Sequence, residues 1–536
     1  MQSINQSAFF LKFRVVFLLV FFFMACKKNT SDEAKPTSPA GSRMQLTQDS
    51  IYLYAKQVYL WNDAIPSYEV FNPRRYTQST NELTNLEKEV FDLSQFKKNP
   101  ATGISYEFKS TEPGTPKFSY IELSESTGII SGTTPKVNEV DLDGVGTDFG
   151  FALSQAFTSA TTYKIYIRYV NPGSPAYNNG LRRGDWLEKI GTLTLPATTN
   201  GQTPNLTQSQ VNFINSALNS TSPLTLIGKK ADGSAFNKTL TRSTYSSRAT
   251  FKDTVITSSG TKIGYLALAR FSDIDNFSLT GAPLKNAFSR FQTNGVTNLV
   301  IDLRYNGGGY VETARLLANL IAGKFKAGAT MFSEHFNSTL QNRQATILKN
   351  QPLPNSSGIK ANYFDNYDYS VSKNTYPFNN QSESLNSVTK IVFLVSSSTA
   401  SASELVINVL KPHISNLKII SSEDENGNAN TYGKPVGFFP IKIDKYDVYF
   451  SMFETKNSLG QGSYYNGLTP DAVSNDDVTR DFGDPEEDQF ASAIRYIVSN
   501  TLSAKAPGAR ISLVKQPTIN LGIDNSFKGM IEGKRK

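Results

Sequence analysis

The feature that most constrains the fold is a short apolar strand that runs through a serine-rich turn into an amphipathic helix. The strand is predicted at Ile391–Val395, where five apolar residues follow one another, and the helical face is formed by Leu405, Val406, Val409 and Leu410. Ser401 therefore lies where a strand turns into a helix. At such a junction the first helical N–H groups have no partner, and the positive end of the helix dipole faces the hydroxyl. Acyl-transfer chemistry needs this combination of a nucleophile and donors for an oxyanion.

A nucleophilic serine also needs a base, and the chain has only two histidines. His413 follows Ser401 along the same predicted helix, where twelve residues would span about 18 Å. His335 lies in a polar segment without a motif, so both are interpreted as surface or loop residues. Lys434, in the tight YGKP turn, is the alternative base if its pKa is lowered enough to leave the amine neutral. By its spacing alone, Lys434 is better explained as a solvated turn lysine.

Three motifs in order resemble those of the C-terminal processing (tail-specific) peptidase family: IDLRYNGGG at 301–309, TASASE at 399–404 and TYGK at 431–434. The resemblance covers about residues 137–480. It implies a Ser–Lys dyad of Ser401 and Lys434, with oxyanion donors at Ala402 and at Gly308 or Gly309. It also implies a multidomain α/β fold, in which a crotonase/ClpP-like spiral peptidase core carries a PDZ domain and needs no metal or organic cofactor.

Two departures from the family pattern leave undecided which residue orients the serine and the lysine as the third member of the catalytic site. The segment at 423–430, EDENGNAN, reads as an inserted loop that lengthens the separation between serine and lysine. Phe438 stands where the family often has a glutamine. Glu404 matches a family acid and is a possible supporting acid, although a carboxylate in the first turn of a helix is equally explained by the helix dipole.

Residues 137–245 are predicted to form the PDZ domain. Its carboxylate-binding turn would be GFAL, which comprises Gly150, Phe151, Ala152 and Leu153. The second PDZ-like motif is SPAYNNGLRRGDWLEKIG at 174–191, and a helix at 208–218 would wall the groove. Backbone N–H groups of such a turn can hold a terminal carboxylate while the neighbouring strand edge adds a peptide strand. The predicted partners are therefore proteins or peptides.

The rest of the chain divides around these two regions. A length of 536 residues implies several domains, and a hydrophobic content of 39% is enough for buried cores. The remaining predicted segments are a small N-terminal helical domain at 45–110, a connector at 111–136, the peptidase core at 246–480 with a cap at 324–387, and a C-terminal helix and tail at 481–536.

The N-terminal sequence is typical of a targeting segment. Lys12 and Arg14 precede an apolar stretch, Val15–Ala25, that is too short to span a bilayer. The next residue is Cys26, the only cysteine in the chain. This resembles a bacterial lipoprotein signal at 1–25 followed by a disordered tether at 26–44, with Cys26 lipidated. We therefore expect a cell-envelope protein anchored to a bacterial membrane, on its periplasmic or surface side; an ordinary secretory signal with an incidental cysteine is the alternative.

Charge and composition exclude other classes of function. The net charge of +8 is dispersed apart from the terminal GKRK, so nucleic-acid binding is not predicted. The sequence lacks the Cys-x-x-Cys and histidine-rich patterns of zinc sites, so no metal is expected. The predicted function is a membrane-anchored serine endopeptidase. The alternatives are a catalytically degenerate PDZ lipoprotein that binds peptides and a tricorn-type peptidase with a histidine base.

Overall fold

The computed structural model describes residues 40–124, 140–159, 161–196, 200–201, 203, 205–353, 361–424, 427–502, 519–521 and 529–532. The described residues from Arg43 onward form one compact unit. The predicted signal peptide and Cys26 lie outside the described residues. Within the described part of the chain, no helix is both long and apolar enough to cross a membrane.

The N-terminal region is helical. Its elements are α1 (Arg43–Val58), α2 (Tyr68–Phe71), α3 (Glu82–Ser94) and the strand β1 (Tyr120–Leu123). Helix α1 buries Ile51, Ala55 and Val58, which recur at helical spacing and so lie on one face. These side chains belong to the same hydrophobic cluster as the main sheet. The helical region therefore packs directly on the body of the protein rather than around a core of its own.

The next region is an antiparallel sheet with two helices and its own core. Its elements are β2 (Val145–Gly146), β3 (Phe151–Ser159), β4 (Thr162–Val170), α4 (Pro175–Asn178), β5 (Trp186–Ile190), β6 (Leu193–Thr194), α5 (Gln208–Ser220), β7 (Leu224–Lys229), β8 (Ala235–Leu240) and β9 (Tyr245–Ser246). In the main sheet of this region β3, β4, β5, β7 and β8 are successive neighbours and β6 pairs with β5, whereas β2 and β9 form a separate two-stranded sheet. Helix α5 buries Ile214, Ala217 and Leu218 against this sheet. The structure thus has a helix where the sequence predicts the wall of a peptide groove.

The largest part of the chain forms an α/β unit. Its elements are β10 (Thr250–Ser258), β11 (Thr261–Leu268), α6 (Gly281–Thr293), β12 (Asn298–Asp302), β13 (Gly308–Tyr310), α7 (Val311–Ala322), β14 (Thr330–Phe336), α8 (Ser338–Gln341), β15 (Thr375–Pro377), β16 (Lys390–Val395), α9 (Ala402–Leu410), β17 (Leu417–Ser421), β18 (Val436–Gly437), β19 (Ile441–Ile443), β20 (Tyr446–Tyr449), β21 (Phe453–Asn457) and β22 (Ala472–Val473). The last elements are α10 (Asp488–Ser499), β23 (Ile519–Leu521) and β24 (Gly529–Ile531).

The main sheet has the order β10-β11-β12-β16-β17-β22, and every pair except β10–β11 is parallel. Both faces are covered, as parallel sheets require. Alternate residues show this: Leu299 and Ile301 pack in the cluster that contains α6, α7 and α9, whereas Val300 packs against α10. The predicted α/β class is confirmed.

Two smaller sheets flank the main one. The first has the order β15-β14-β21-β18, so the segment predicted as a cap contributes two paired strands. The second has the order β1-β20-β19, with Tyr120 opposite Tyr449. Strand β1 thereby ties the predicted connector to the strands that follow the YGKP turn.

A buried ion network joins the antiparallel region to the main sheet. Arg183, which follows α4, donates from Nη2 to Asp476 Oδ1 at 2.6 Å and from Nη1 to the hydroxyl of Tyr305 at 2.5 Å. Arg304 donates to Asp476 at 3.0 Å and to Glu487 at 2.7 Å. Burial alone would raise the pKa of Asp476, but the two guanidinium groups lower it to about 2. The carboxylate therefore stays ionised and links the two regions.

Candidate active site

The main sheet brings two predicted turns together. Strands β12 and β16 are parallel neighbours, with Leu299 opposite Ile391 and Asp302 opposite Leu394. The NGGG turn follows the first strand and the serine-rich turn follows the second. Both turns therefore lie at the carboxyl edge of the sheet, where α/β proteins place their functional sites.

Hydroxyl groups hold the two turns against each other. Thr399 Oγ1 donates to the carbonyl of Leu303 at 2.8 Å, and Ser396 Oγ donates to the carbonyl of Arg304. Ser403 Oγ donates to the carbonyl of Asn306 at 3.0 Å, and the N–H of Ala400 donates to the same oxygen at 3.2 Å. The neighbours of Ser401 are thus bonded to the turn opposite, which fixes the position of the residue between them.

Ser401 itself has an unusual backbone. Its φ of 60° and ψ of −110° place a residue with a Cβ in a sparsely populated conformation. Such conformations persist only where the surroundings enforce them, and they cluster at functional sites. The side chain is buried, and its Oγ has no hydrogen-bond partner among the described residues. The predicted nucleophile is thus a strained residue at the N-terminus of α9 with an unbonded hydroxyl.

The glycines of the NGGG turn lie against this serine. A Cβ on Gly308 would come within 3.1 Å of Ser401 Cβ, and a Cβ on Gly309 would lie 2.2 Å from the carbonyl oxygen of Phe271. Both positions therefore require glycine. The N–H of Gly308 donates to Asn306 Oδ1 at 2.9 Å, so this donor is already used within the turn. Of the two predicted glycine donors, Gly309 is the better candidate; Ala402, the first residue of α9, has an N–H with no intrahelical acceptor.

Glu404 connects the serine turn to the lysine turn. Its Oε2 accepts from the N–H of Ser401 and from the N–H of Lys434, each at 2.8 Å. Its Oε1 accepts from the N–H of Gly433 at 2.8 Å and from the hydroxyl of Thr431. Burial raises the pKa of Glu404, and these donors counteract the rise. The acid therefore fixes both candidate catalytic backbones.

Lys434 is enclosed by aromatic rings. Its Nζ lies 4.9 Å from the ring centroid of Phe438 and 5.9 Å from that of Phe118, and it donates to the carbonyl of Phe118 at 3.2 Å. Burial lowers the pKa of Lys434 to about 7, against the opposing attraction of Glu107 and Glu404. A substantial fraction of the amine is therefore neutral at neutral pH, which a lysine base requires.

The sequence reasoning missed two of the residues that build this environment. Phe118 comes from the predicted connector, and Glu107 from the end of the predicted helical domain. Glu107 is buried and accepts from the N–H of Ser119 at 2.8 Å and from Ser451 Oγ at 3.0 Å. Phe118 lies 316 positions from Lys434 in the sequence, so no local pattern could have connected them.

Neither histidine is bonded to the serine turn. His335 Nε2 lies 2.9 Å from Ser333 Oγ on its own strand. His413 Nε2 lies 3.1 Å from the carbonyl of Thr330, and its ring meets Phe378 edge-on at 4.9 Å. Burial lowers the pKa of both imidazoles. Each histidine is accounted for by local packing.

The predicted peptide-binding turn lies in a different sheet from the serine. Gly150 has a φ of 78°, and a Cβ there would lie 2.0 Å from that of Ser174, so only glycine fits. Phe151, Ala152 and Leu153 open strand β3. Among the described residues, no group of three or more His, Cys, Asp and Glu side chains is arranged to hold a metal ion.

Comparison with known proteins identifies the family of the region that carries the serine turn. Residues 262–420 match the model of peptidase family S41. An assigned S41 protease from Bacteroides fragilis NCTC 9343 has a crystal structure that matches with a TM-score of 0.53 at 21% identity, over 87% of this chain and 100% of that one. None of the curated proteins compared with the chain matches it.

Two further solved structures are more distant. The photosystem II D1 C-terminal processing protease matches with a TM-score of 0.42 at 16% identity, over 81% of this chain and 94% of that one. Mature CPAF complexed with lactacystin matches with a TM-score of 0.36 at 12% identity, over 80% and 93% of the two chains.

The matched region runs from β11 to β17 and includes the NGGG turn and Ser401, but it ends before Lys434. The predicted resemblance to C-terminal processing peptidases is confirmed for this region, which is a peptidase family S41 domain. The class of protein is accordingly a serine-type peptidase. The likeness to the Bacteroides fragilis structure shows a shared fold.

Proposed function

We propose that this protein is an endopeptidase in which Ser401 is the nucleophile and Lys434 the general base. The observation that supports the dyad best is the shared carboxylate oxygen of Glu404, which holds the backbone N–H groups of both residues at 2.8 Å. The lowered pKa of the buried amine is the second support.

The mechanism follows from these groups. The neutral amine of Lys434 takes the proton of Ser401 Oγ as that oxygen attacks the carbonyl carbon of the substrate. The N–H groups of Ala402 and Gly309 donate to the resulting oxyanion, where preorganised donors have their largest effect. The protonated amine then gives its proton to the leaving nitrogen. Water, deprotonated by the same lysine, releases the acyl group from the serine.

The antiparallel region at residues 140–246 would act as a PDZ domain. The turn that begins at Gly150 would bind a substrate C-terminus, and the edge of β3 would pair with the substrate backbone. Helix α5 shares the hydrophobic cluster of Phe151 and Leu153 and would wall the groove. Substrate would thus be held at a distance from the bond that is cut.

A lipid on Cys26 would anchor the protein in the cell envelope of a bacterium. A diacyl or triacyl group holds a protein stably at a membrane, whereas a single chain binds marginally. The dispersed charge of the chain gives no reason to expect nucleic acid as a partner.

The decisive test is reaction with a serine-directed fluorophosphonate probe. Wild type should label at Ser401, and Ser401→Ala should not label or cleave a protein substrate. Ser403→Ala is the matched control, because that hydroxyl is bonded to the carbonyl of Asn306; Ser403→Ala should still label at Ser401, although more slowly, since this bond holds the serine turn in place. Equal labelling of wild type and Ser401→Ala would reject the nucleophile.

One observation favours a second candidate, a degenerate peptidase that only binds peptides. Ser401 Oγ has no partner among the described residues, while Lys434 Nζ donates to Phe118. The hydroxyl and the amine are therefore not hydrogen-bonded to each other in this structure. Absence of labelling both in the folded wild-type protein and in a folded chain that ends at Thr518, with peptide binding retained, would establish this alternative.

A further inference from the structure

The C-terminal end of the chain lies on the NGGG turn. Strand β24 pairs in parallel with β13, with Gly308 opposite Gly529, Gly309 opposite Met530 and Tyr310 opposite Ile531. Its other edge is bonded to Phe438, whose N–H donates to the carbonyl of Met530 and whose carbonyl accepts from the N–H of Glu532, each at 3.0 Å. The segment 529–532 is thus an extended strand inserted between the predicted oxyanion turn and the wall of the lysine pocket.

The register of β24 places the carbonyl of Gly529 close to both the NGGG turn and Ser401. The N–H of Gly529 donates to the carbonyl of Gly307 at 3.1 Å. In a parallel ladder of this register, the carbonyl of Gly529 then faces the N–H of Gly309. A Cβ on Gly308 would lie 2.3 Å from that carbonyl oxygen and 3.1 Å from Ser401 Cβ. The tail therefore presents a peptide carbonyl beside the nucleophile and to the proposed oxyanion donor.

The side chains of the tail strand are held in apolar surroundings. Met530 is buried in the main hydrophobic cluster. Ile531 is buried with Leu142, Tyr310, Phe438 and Tyr449. Each apolar side chain that is removed from water favours docking. Ser401 is itself fully buried, so an external peptide has no access to it while this arrangement holds.

A second tail segment occupies the groove of the antiparallel region. Strand β23 pairs antiparallel with β3, with Leu521 opposite Leu153 and Ile519 opposite Gln155. It contacts helix α5 on its other side. This is the strand addition through which PDZ-type grooves take peptides. With rising residue number, β23 runs toward the Gly150 end of β3, as a peptide that presents its C-terminus to that turn would run.

We propose that the C-terminal tail is an intramolecular pseudosubstrate that fills both peptide-binding sites of the enzyme and holds it inactive. This rests on the proposed peptidase function and deepens it, because the docked strand also indicates the substrate class. The groove beside Ser401 takes an extended peptide with a small residue, as at Gly529, followed by two large aliphatic residues, as at Met530 and Ile531. A tethered segment competes at high effective concentration, so even modest affinity would block free substrates.

The first test is a chain that ends at Thr518, compared with the full chain. It should label with fluorophosphonate and cleave an external Gly-Met-Ile-containing peptide roughly tenfold faster or more, given the effective concentration of a tethered strand. Equal rates for the two proteins, with both reacting, would overturn the inference and leave the peptidase function standing. Failure of both to react would instead reject the peptidase function.

A point variant separates tail release from the effects of truncation. Met530→Asp puts a carboxylate into a buried apolar position and should release the tail without altering Ser401, Lys434 or Glu404. Val70→Asp makes the same change at a side chain that is 72% exposed, in the N-terminal region. Met530→Asp should raise the rate toward that of the truncated chain, and Val70→Asp should leave the wild-type rate unchanged. A folded Met530→Asp protein with the wild-type rate would contradict the proposal.

Addition of the tail in trans completes the test. A synthetic peptide of residues 519–532 should inhibit the truncated chain in competition with the substrate. The same peptide with Met530 replaced by aspartate should inhibit at least tenfold more weakly. Noncompetitive inhibition, or equal inhibition by both peptides, would show that the tail does not occupy the groove of Ser401.

Discussion

The carboxylate of Glu404 and the backbone of Lys434 are joined directly: Oε2 accepts from the lysine N–H at 2.8 Å while accepting from Ser401 at the same distance. The two residues are thirty positions apart: Glu404 lies in the first turn of helix α9, and Lys434 lies in the YGKP turn. Because one oxygen holds both, a shift of the lysine turn is transmitted to the serine turn. The positions of the candidate nucleophile and base therefore depend on an acid that takes no part in proton transfer.

Glu404→Gln should lower kcat strongly and the stability moderately. The amide keeps one acceptor oxygen but places an NH₂ group against buried N–H donors, each of which costs about 1–3 kcal/mol when unsatisfied. We expect KM for a peptide substrate to change little. Denaturant unfolding and steady-state kinetics measure the two effects. Glu69→Gln, an exposed helix acid, is the control and should match wild type; an unchanged kcat in Glu404→Gln would refute the positioning role.

Ser401→Gly should be more stable than Ser401→Ala, by about 1 kcal/mol. The φ of 60° carries a steric cost for any residue with a Cβ, and glycine removes it. Both variants lose the hydroxyl and should be inactive. Thermal or denaturant unfolding gives the comparison. Equal stability of the two variants would mean that the turn relaxes and stores no strain at Ser401.

Peptide hydrolysis should rise with pH through a pKa of about 7, the value to which burial lowers Lys434. The neutral amine is the active form, so activity is lost as the pH falls and the amine becomes protonated. Lys434→Arg should remain inactive at all pH values because the guanidinium stays protonated. Kinetic measurements of kcat/KM between pH 5 and 9 test this, and a profile set by a group near 10 would contradict it.

Lys434→Met should stabilise the folded protein at pH 7 by roughly 2–4 kcal/mol. The pKa falls from 10.5 in the unfolded chain to about 7 in the folded one, so the folded state binds fewer protons between these values. Wild type is therefore destabilised at pH 7 and regains stability as the pH rises toward 10. The difference between wild type and Lys434→Met in denaturant unfolding should shrink from pH 7 to pH 10. A constant difference would show that the amine is not buried.

Arg183→Met should destabilise the chain by about 3–5 kcal/mol, because it leaves Tyr305 and part of Asp476 without their buried cationic partner. The control is Arg182→Met, which replaces the neighbouring arginine, a less buried side chain than Arg183. Thermal unfolding measures the loss. A small change would mean that Arg304 alone compensates the carboxylate.

Cys26→Ser should shift the protein from the membrane fraction of bacterial cells to the soluble fraction, because it removes the only thiol that could carry a lipid. Fractionation followed by immunodetection gives the result. Retention of the variant on membranes would reject the lipoprotein signal and leave the alternative of an ordinary signal peptide.

The sequence predicted the parts of the site that depend on local pattern. The strand, turn and helix around Ser401 follow from hydrophobic period and turn composition, and the structure has them at 390–395 and 402–410. The sequence singled out Glu404 but could not assign its role. An acid that stabilises the helix dipole and an acid that hydrogen-bonds the serine and lysine turns would occupy the same position in the sequence.

The remaining parts of the site depend on long-range contacts, which the hydrophobic periodicity of the sequence does not predict. The pocket of Lys434 uses Phe118, and the docked tail uses residues 519–521 and 529–532, hundreds of positions from their partners. The tail also lacks regular alternation or a motif, so nothing in its composition distinguishes it from a solvated terminus. Its pairing is set by the edges of β3 and β13, which only the folded chain presents.

The hydroxyls of Ser396, Thr399 and Ser403 have already been assigned to the carbonyls of the opposite turn. Loss of any of these bonds would make the position of Ser401 less well fixed. An alanine scan of this turn that recorded activity alone would therefore show reduced activity at four positions, not only at Ser401. The melting temperature separates them: three of the replacements should lower it, and the one at Ser401 should not. Loss of turnover without loss of heat resistance is thus the signature by which the nucleophile can be told from its neighbours.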